Sequence, residues 1–273
     1  MKIAIVSDIH LDINSKYVGK DLMPIFICCL KKQEADVIVI AGDLCDNAKD
    51  SIAALNRIEG ELGKKVLFIP GNHDVWDKQG GQSAWDRYRQ FEKHSSSLLN
   101  QPYEITDTHV IIGEMGWYDY SFAKKGVPLE NILAHIQDWG DHKWSDWNME
   151  DADLTTKMLH NVEKQVKRYQ HKKIILVHHF VPYKDFLTNS TQYMDWDVYN
   201  AFMGSASVGK MIDRYENIEY VIFGHTHDRY GIIENYHNKT IICNPLGYIA
   251  ERSEVLFEEE VMNSITVIEL PKQ

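Results

Sequence analysis

Histidine, aspartate and asparagine side chains are gathered in five short segments that lie far apart along the chain. The segments are Asp8-Ile9-His10, Gly42-Asp43, Gly71-Asn72-His73-Asp74, His178-His179 and Gly224-His225-Thr226-His227. Imidazole nitrogens, carboxylates and an amide oxygen can bind divalent first-row metals such as Mn, Fe, Zn or Ni. An imidazole can also transfer a proton near neutral pH, and a neighbouring carboxylate can orient it. The residue types therefore indicate metal binding combined with acid–base chemistry.

Each of these segments directly follows a short apolar run that is typical of a buried β-strand. The runs cover residues 3–6, 37–40, 66–69, 174–177 and 220–223. Between the first three runs, apolar residues recur at the three- and four-residue spacing of amphipathic helices. This alternation predicts βαβ units, an α/β fold and a largely parallel sheet. Sites in such sheets lie beyond the carboxyl ends of the strands, so the five segments are expected to converge there.

The remaining chain predicts further elements and one irregular insertion. Helical character is expected for residues 80–100, 154–169 and part of 198–216, and strands are expected at 110–112, 230–235, 239–243 and 264–270. The last three strands are expected to be antiparallel. A Trp-rich insertion at about 115–150 follows neither the helical nor the strand period, so it is either a cap over the site or a surface insertion packed on the core. No Gly/Ser/Pro linker marks a boundary, which predicts a single domain over residues 1–273.

Composition narrows the class of partner and the compartment. The 273 residues are 44% hydrophobic and carry a net charge of -11, which argues against an extended nucleic-acid surface. No apolar run approaches the ~20 residues that span a bilayer, so no membrane association is expected. The given sequence begins directly with a predicted strand, so no cleavable leader is expected, and its four cysteines form no Cys-x-x-Cys pair. These features predict a cytoplasmic protein with reduced thiols. The acidic segment 251–260 is expected to be a solvated face or loop.

The spacing of two histidines suggests a pair of cations. His225 and His227 are separated by one residue, so in an extended segment they point to opposite faces and could bind different ions. The single carboxylate Asp43, at the end of a central strand, could bridge both. Two cations ~3.5–4 Å apart hold the attacking and leaving oxygens of a phosphoryl displacement, and they lower the pKa of bound water from ~15.7 towards ~7.

Taken in order, the five segments resemble those of the calcineurin-like metallophosphoesterase superfamily, and in particular its bacterial-type phosphohydrolases. The resemblance extends over nearly the whole chain except residues 115–150. It implies a four-layer sandwich of two mixed β-sheets flanked by helices. It also implies a dinuclear-metal-dependent phosphoesterase that hydrolyses a small phosphomonoester or phosphodiester by attack of a metal-bound hydroxide. Two divalent ions, Mn, Fe, Zn or Ni, are expected, with Mn the best supporter of activity.

The resemblance also assigns ligands to each ion. One ion is expected to bind Asp8, His10, Asp43 and His227. The other is expected to bind Asp43, Asn72, His178 and His225. In the pair His178-His179 the first histidine matches the usual ligand, and His179 is expected to touch substrate or to pack in the core.

His73 resembles the histidine of the family that is not a ligand. The resemblance implies that His73 contacts the phosphoryl group or protonates the leaving oxygen, and that Asp74 holds the His73 imidazole in orientation. Asp12 and Asp46 are expected to be solvated loop carboxylates, and the alternative is that they accept hydrogen bonds from groups next to the ligands.

Two other functions are compatible with the same segments. Ser/Thr protein phosphatases carry an arginine in the pattern Gly-Asp-x-Val-Asp-Arg-Gly, whereas Gly42-Asp43-Leu44-Cys45-Asp46-Asn47-Ala48 lacks it. A protein phosphatase is therefore less favoured. Some members of this fold have lost ligands and serve as non-catalytic scaffolds, but every expected ligand type is present here.

Overall fold

The strands of the protein form two mixed sheets in the computed structural model, which describes residues 1–137, 139–189, 196–252 and 256–271. The strands of these described residues are β1 (Lys2–Val6), β2 (Val37–Ala41), β3 (Lys65–Ile69), β4 (Tyr103–Glu104), β5 (His109–Glu114), β6 (Lys173–His178), β7 (Ile218–Ile222), β8 (Gly231–Tyr236), β9 (Lys239–Cys243) and β10 (Thr266–Glu269). One sheet has the order β10-β1-β2-β3, and the other has the order β4-β5-β6-β7-β9-β8.

Helices connect most of the parallel strands. They are α1 (Leu11–Val18), α2 (Met23–Lys32), α3 (Ala48–Leu62), α4 (Ala84–Glu92), α5 (Leu129–Ile136), α6 (Gly140–Trp144), α7 (Asp151–Arg168), α8 (Trp196–Tyr199), α9 (Ala206–Arg214) and α10 (Phe257–Ser264). Helix α3 begins where the Asn47 side chain accepts a hydrogen bond from the Asp50 amide, and it ends at Gly63 with a left-handed backbone. None of the helices of the described residues is long and apolar enough to cross a membrane.

In the first sheet, β1, β2 and β3 are parallel, and β10 pairs antiparallel with β1. All five residues of β2 are buried, as a central strand covered on both faces requires. The parallel arrangement brings the ends of β1, β2 and β3 to one edge. The site segments at Asp8, Asp43 and Asn72 therefore start from the same edge.

In the second sheet, β5, β6, β7 and β9 are parallel, whereas β4 and β8 are antiparallel edge strands. The prediction of two mixed sheets is confirmed. The antiparallel assignment of the last strands is correct only in part. Because β8 reverses the chain direction after β7 and β9 reverses it again, β9 pairs parallel with β7, while β10 leaves for the other sheet.

The two sheets contact each other through apolar side chains and through residues 98 and 99, which bond to one strand of each sheet. The Leu98 amide donates to the Phe68 carbonyl at 2.9 Å, and Leu99 pairs with Gly113 of β5. A Cβ at Gly113 would lie 2.6 Å from side-chain carbons of Ile69 and Leu98, so the approach requires glycine there. On the side of the site, the Gly224 amide donates to the His179 carbonyl at 3.0 Å, tying the loop after β7 to the end of β6.

The acidic segment near the carboxyl end is more structured than expected. Residues 253–255 lie outside the described residues, but α10 begins at Phe257. Glu260 is buried and forms an ion pair with Arg229, its Oε2 atom lying 2.7 Å from a guanidinium nitrogen. Charge alone could not reveal this burial, because the partner Arg229 is distant in sequence.

Candidate metal centre

Two separate groups of ligand atoms lie at the common edge of the sheets, and a third group, formed by His10, Asp46 and His73, overlaps the first. In the first group, atoms of Asp8, His10 and His227 lie within 4.8 Å of one another. The His10 Nε2 atom is 3.1 Å from the His227 Nε2 atom, which is 3.8 Å from the Asp8 Oδ1 atom. In the second group, atoms of Asp43, His179 and His225 also lie within 4.8 Å of one another.

Asp43 belongs to the second group and also lies close to the first. Its Oδ2 atom is 3.8 Å from the His10 Nε2 atom of the first group and 3.3 Å from the His179 Nε2 atom of the second. The Asn72 Oδ1 atom is 3.0 Å from the same His179 nitrogen. One carboxylate oxygen therefore faces both groups, and the Asn72 oxygen faces the second.

The predicted ligand His178 joins neither group, and His179 takes its place. His178 is the last residue of β6, where successive side chains point to opposite faces of the sheet. Its Nδ1 atom is 2.7 Å from the Phe180 carbonyl, and its ring lies against Gly116, where a Cβ would be 2.1 Å away. Burial lowers the pKa of His178 to about 4. Its neighbour His179 faces the other way, towards Asp43 and Asn72.

Most of the clustered residues sit on an unusual backbone. Five of them have left-handed φ angles: Asp8 (55°), His10 (43°), Asp43 (53°), His225 (75°) and His227 (60°). Such conformations are uncommon for residues other than glycine, and they concentrate at functional sites. The surrounding loops stabilise them, since the Asp8 carboxylate accepts from the His225 amide and the Asp43 carboxylate accepts from the His73 amide, each at 2.9 Å.

Two glycines make room for the carboxylates. A Cβ at Gly71 would lie 2.1 Å from the Asp43 Oδ1 atom, and a Cβ at Gly224 would lie 2.0 Å from the Asp8 Oδ2 atom. The carboxylates thus pack directly on the backbone, where a side chain would displace them.

Several atoms of the cluster are buried without a hydrogen-bond partner. These include the Asp8 Oδ2 and His225 Nε2 atoms. Buried polar atoms are normally satisfied, so orphaned atoms on ligand-type residues fit the binding of cations. Burial lowers the pKa of His10 and of His225 well below the ordinary value, which favours the neutral imidazole that binds metal. Burial opposes ionisation of Asp43, but His179 and His73 hold its pKa well below the ordinary value. The residues therefore fit divalent cations.

His73 lies beside the cluster with one nitrogen directed towards it. The His73 Nε2 atom is 4.0 Å from the Asp43 Oδ2 atom and 3.4 Å from the Tyr248 hydroxyl. The opposite nitrogen, Nδ1, is 2.5 Å from the Asp46 Oδ1 atom. Burial alone would lower the pKa of His73, but Asp43 and the hydrogen bond with Asp46 raise it. Trp76 covers the ring, with centroids 3.5 Å apart.

Asp46, rather than the predicted Asp74, orients the His73 imidazole. The Asp74 carboxylate accepts from the Asp43 and Gly71 amides, both at 2.8 Å, and from the Ser51 hydroxyl at 2.5 Å. It does so because the 3₁₀ turn over His73–Val75 directs its side chain back under the loop after β2. Burial, with the nearby Asp43 charge, raises the pKa of Asp74 to about 7. Asp74 therefore holds the loop that carries Asp43.

Two further contacts orient histidines of the cluster. The His227 Nδ1 atom is 2.9 Å from the Glu251 Oε2 atom, and the His179 Nδ1 atom is 3.0 Å from the Ala41 carbonyl. Such partners fix the ring orientation and the tautomer of a metal-binding histidine. The sequence does not predict the contact between Glu251 and His227. Glu251 begins a segment in which acidic residues are frequent, and no pattern distinguishes it from them.

The Trp-rich insertion reaches the cluster through Asp141. The Asp141 Oδ1 atom accepts from the Asn72 Nδ2 and Trp76 Nε1 atoms, each at 2.8 Å, and its Oδ2 atom accepts from Trp139 at 3.0 Å. Burial raises the pKa of Asp141 to about 6. Of the two alternatives for this insertion, contact with the site is observed, and the buried Trp147 shows that it also packs on the core.

Comparison with known proteins agrees with this architecture. The family model for calcineurin-like phosphoesterases matches residues 1–229. The structure is similar to that of TT1561 of Thermus thermophilus, with a TM-score of 0.53, 16% identity, and coverage of 89% of this chain and 88% of that one. It is also similar to a dimetal phosphatase from Danio rerio, with a TM-score of 0.55, 11% identity, and coverage of 90% and 87%.

The chain belongs to the calcineurin-like phosphoesterase family. It is a metal-dependent hydrolase of phosphoric esters, as the resemblance of the five segments implies.

Proposed function

We propose that the protein hydrolyses a small phosphomonoester or phosphodiester with the help of two divalent cations. The position of Asp43 carries this proposal, because one of its oxygens faces both groups of ligand atoms. One cation would be held by Asp8, His10, Asp43 and His227. The other would be held by Asp43, Asn72, His179 and His225.

A bound pair of cations neutralises the charge of the phosphoryl group and lowers the pKa of a bound water molecule. The protein itself supplies His73, whose Nε2 atom faces the cluster and can donate a proton to the leaving oxygen. Asp46 keeps that nitrogen in position by accepting from Nδ1. The Tyr248 hydroxyl, 3.4 Å from the same Nε2 atom, is placed to contact the phosphoryl group or the leaving group.

Manganese is the cation that we expect to support activity best. The ligand set mixes imidazole nitrogens with carboxylate and amide oxygens, a combination that suits Mn and also Fe, Zn and Ni. We expect a small substrate. The net charge of -11 argues against an extended nucleic-acid substrate.

The two other functions are less well supported. The loop after Asp43 lacks the arginine of Ser/Thr protein phosphatases. A non-catalytic metal-binding scaffold could use the converging ligand atoms, but it would not need the placement of His73 beside them.

The proposal is tested with para-nitrophenyl phosphate and bis-para-nitrophenyl phosphate in the presence of Mn²⁺, together with elemental analysis of bound metal. We expect turnover of at least one substrate and two cations per chain.

Asp43→Asn should lower the occupancy of both cations together. Asp213→Asn serves as the control, since Asp213 contacts Tyr183 and His237 rather than the cluster. An Asp43→Asn protein with two cations at full occupancy would contradict the bridging role. Absence of both metal and turnover in the wild type would favour the scaffold.

A further inference from the structure

Asp141 joins the Trp-rich insertion to the turn after β3 at a buried point. It lies in α6 of the Trp-rich insertion, and only 1% of its surface is exposed. Its two oxygens accept from Asn72, which follows β3, from Trp76 at the end of the next turn, and from Trp139 of the insertion. Such a fully paired carboxylate between an insertion and a ligand residue suggests a role in the site.

The hydrogen bond to Asn72 decides which end of its amide faces the cluster. A carboxamide has an oxygen at one end and a donor group at the other, and a half turn exchanges them. An ionised carboxylate only accepts, so Asp141 favours the orientation in which Nδ2 points to it. The Asn72 Oδ1 atom then points to the second group, 3.0 Å from the His179 Nε2 atom. Only this orientation offers an oxygen to a cation.

The same carboxylate also fixes the residue that covers His73. Trp76 donates to the Asp141 oxygen that accepts from Asn72, and its ring stacks on His73 with centroids 3.5 Å apart. The insertion packs tightly against Trp76, since a Cβ at Gly140 would lie 2.7 Å from the Trp76 ring. Trp144 adds a second ring contact to Trp76 at 4.8 Å. The insertion therefore supports Asn72 and His73 together.

We propose that Asp141 is a positioning residue that holds the Asn72 oxygen towards the cation bound by Asp43, His179 and His225. This inference rests on the proposed function, because it assumes that a cation binds there. It makes the Trp-rich insertion part of the metal centre, although the insertion lies outside the segments that define the family resemblance.

The test is calorimetric titration of metal-free protein with Mn²⁺, followed by electron paramagnetic resonance of the loaded protein. Wild type should bind two cations and give the signal of a coupled Mn pair. Asp141→Ala should lose affinity for one cation by about 10–100-fold, the usual effect of removing a partner of a ligand. At one equivalent it should give the signal of an isolated Mn ion. Asp141→Asn retains an acceptor oxygen without the charge, so we expect a smaller loss than in Asp141→Ala, no more than about 10-fold.

Asp151→Asn is the matched control. Asp151 lies in the adjoining α7, and its carboxylate also accepts from a tryptophan, Trp117, at 2.6 Å, and from the Tyr120 hydroxyl. It does not contact Asn72, so both Mn²⁺ affinities should stay at the wild-type values. Circular dichroism establishes that each variant is folded.

The outcomes separate this inference from the proposed function. Wild type that binds no more than one cation would overturn the two-cation function and the inference with it. Wild type that binds two, with Asp141→Ala unchanged, would overturn the inference alone. If Asp141→Ala does not fold, wild-type affinities in Asp141→Asn overturn it. An equal loss in Asp151→Asn would also overturn it, because the effect would then come from the stability of the insertion.

Discussion

At the scale of single residues, the chemistry of His73 depends on which carboxylate faces its ring. The sequence identifies His73 through its motif, and it offers Asp74 as the neighbouring carboxylate. The structure instead brings Asp46 to the imidazole from the loop after β2. Sequence adjacency is a poor guide here, because consecutive side chains in a tight turn diverge. Asp74 is used for a different purpose, the anchoring of the Asp43 loop.

Replacing Asp46 should therefore separate catalysis from metal binding. In Asp46→Asn the acceptor of the hydrogen bond from His73 loses its negative charge, so it orients the imidazole less firmly and no longer raises the pKa of the ring through its charge. We expect kcat for a nitrophenyl ester to fall by about 10²-fold, within the range attributed to positioned acid–base groups. Elemental analysis should still find the wild-type metal content.

The control for this prediction is Asp12→Asn. Asp12 is close in space, and its carboxylate accepts from the Asp46 backbone amide, at 3.0 Å, rather than from the His73 ring. Its kcat should stay near the wild-type value. Equal losses in both variants would mean that the loop, rather than the orientation of His73, explains the effect.

At the scale of elements, strand ends were predictable and side-chain directions were not. The apolar runs located β1, β2, β3, β6 and β7, and the structure places a site segment at the end of each. The apolar runs do not indicate which of His178 and His179 faces the site. That depends on the residue at which β6 ends and on the face of the sheet to which its side chain points. Helices α5 and α6 were also missed, since the insertion lacks a clear period. The role of Asp141 depends on contacts that no spacing encodes.

The carboxyl group of Glu114, the last residue of β5, should make the free energy of unfolding depend on pH. Glu114 is fully buried there and accepts from the Tyr88 hydroxyl of α4 at 2.7 Å. Burial raises its pKa from 4.5 to about 7. The folded state therefore retains a proton that the unfolded state releases above pH ~4.5. The stabilisation is complete below that pH and is lost as the pH rises through about 7, with a total of up to about 3 kcal/mol at ~1.36 kcal/mol per pKa unit.

Urea unfolding of the metal-free protein between pH 4.5 and 8 measures this contribution. The free energy of unfolding of wild type should fall over that interval more steeply than that of Glu114→Gln, which cannot titrate. Glu130→Gln, a change at an exposed residue of α5, is the control and should follow wild type. Parallel curves for wild type and Glu114→Gln would refute the contribution of this carboxyl group.

At the scale of the whole molecule, the candidate metal centre is assembled from both sheets. Asp8, His10, Asp43 and Asn72 follow strands of the first sheet, and His179, His225 and His227 follow strands of the second. The sequence predicted the convergence of these segments. The periodicity of the strands did not reveal their division between two sheets, because buried strands of either sheet have the same apolar pattern; that division followed only from the family resemblance.

This assembly predicts that cations stabilise the whole fold. Ligands from both sheets are close together only in the folded state, so bound metal should favour folding by RT ln(1 + [L]/Kd), which is ~2.7 kcal/mol when the free metal is at 100 times Kd. Removing metal with EDTA should lower the Tm, measured by differential scanning calorimetry. Circular dichroism and tryptophan fluorescence should report one common transition, because the cations link the two sheets.

Two variants test whether the difference in Tm between Mn²⁺ and EDTA comes from cations bound at the cluster. Asp43→Asn should lose most of the difference in Tm between Mn²⁺ and EDTA, since Asp43 faces both groups of ligand atoms. Asp213→Asn should retain it, because its side chain contacts Tyr183 and His237 away from the cluster. An unchanged Tm after chelation of a demonstrably metal-loaded protein would contradict this prediction, because the linkage relation would then require the unfolded chain to bind the cations as tightly as the folded protein does. The assembly of ligands from both sheets would then not be what binds the metal.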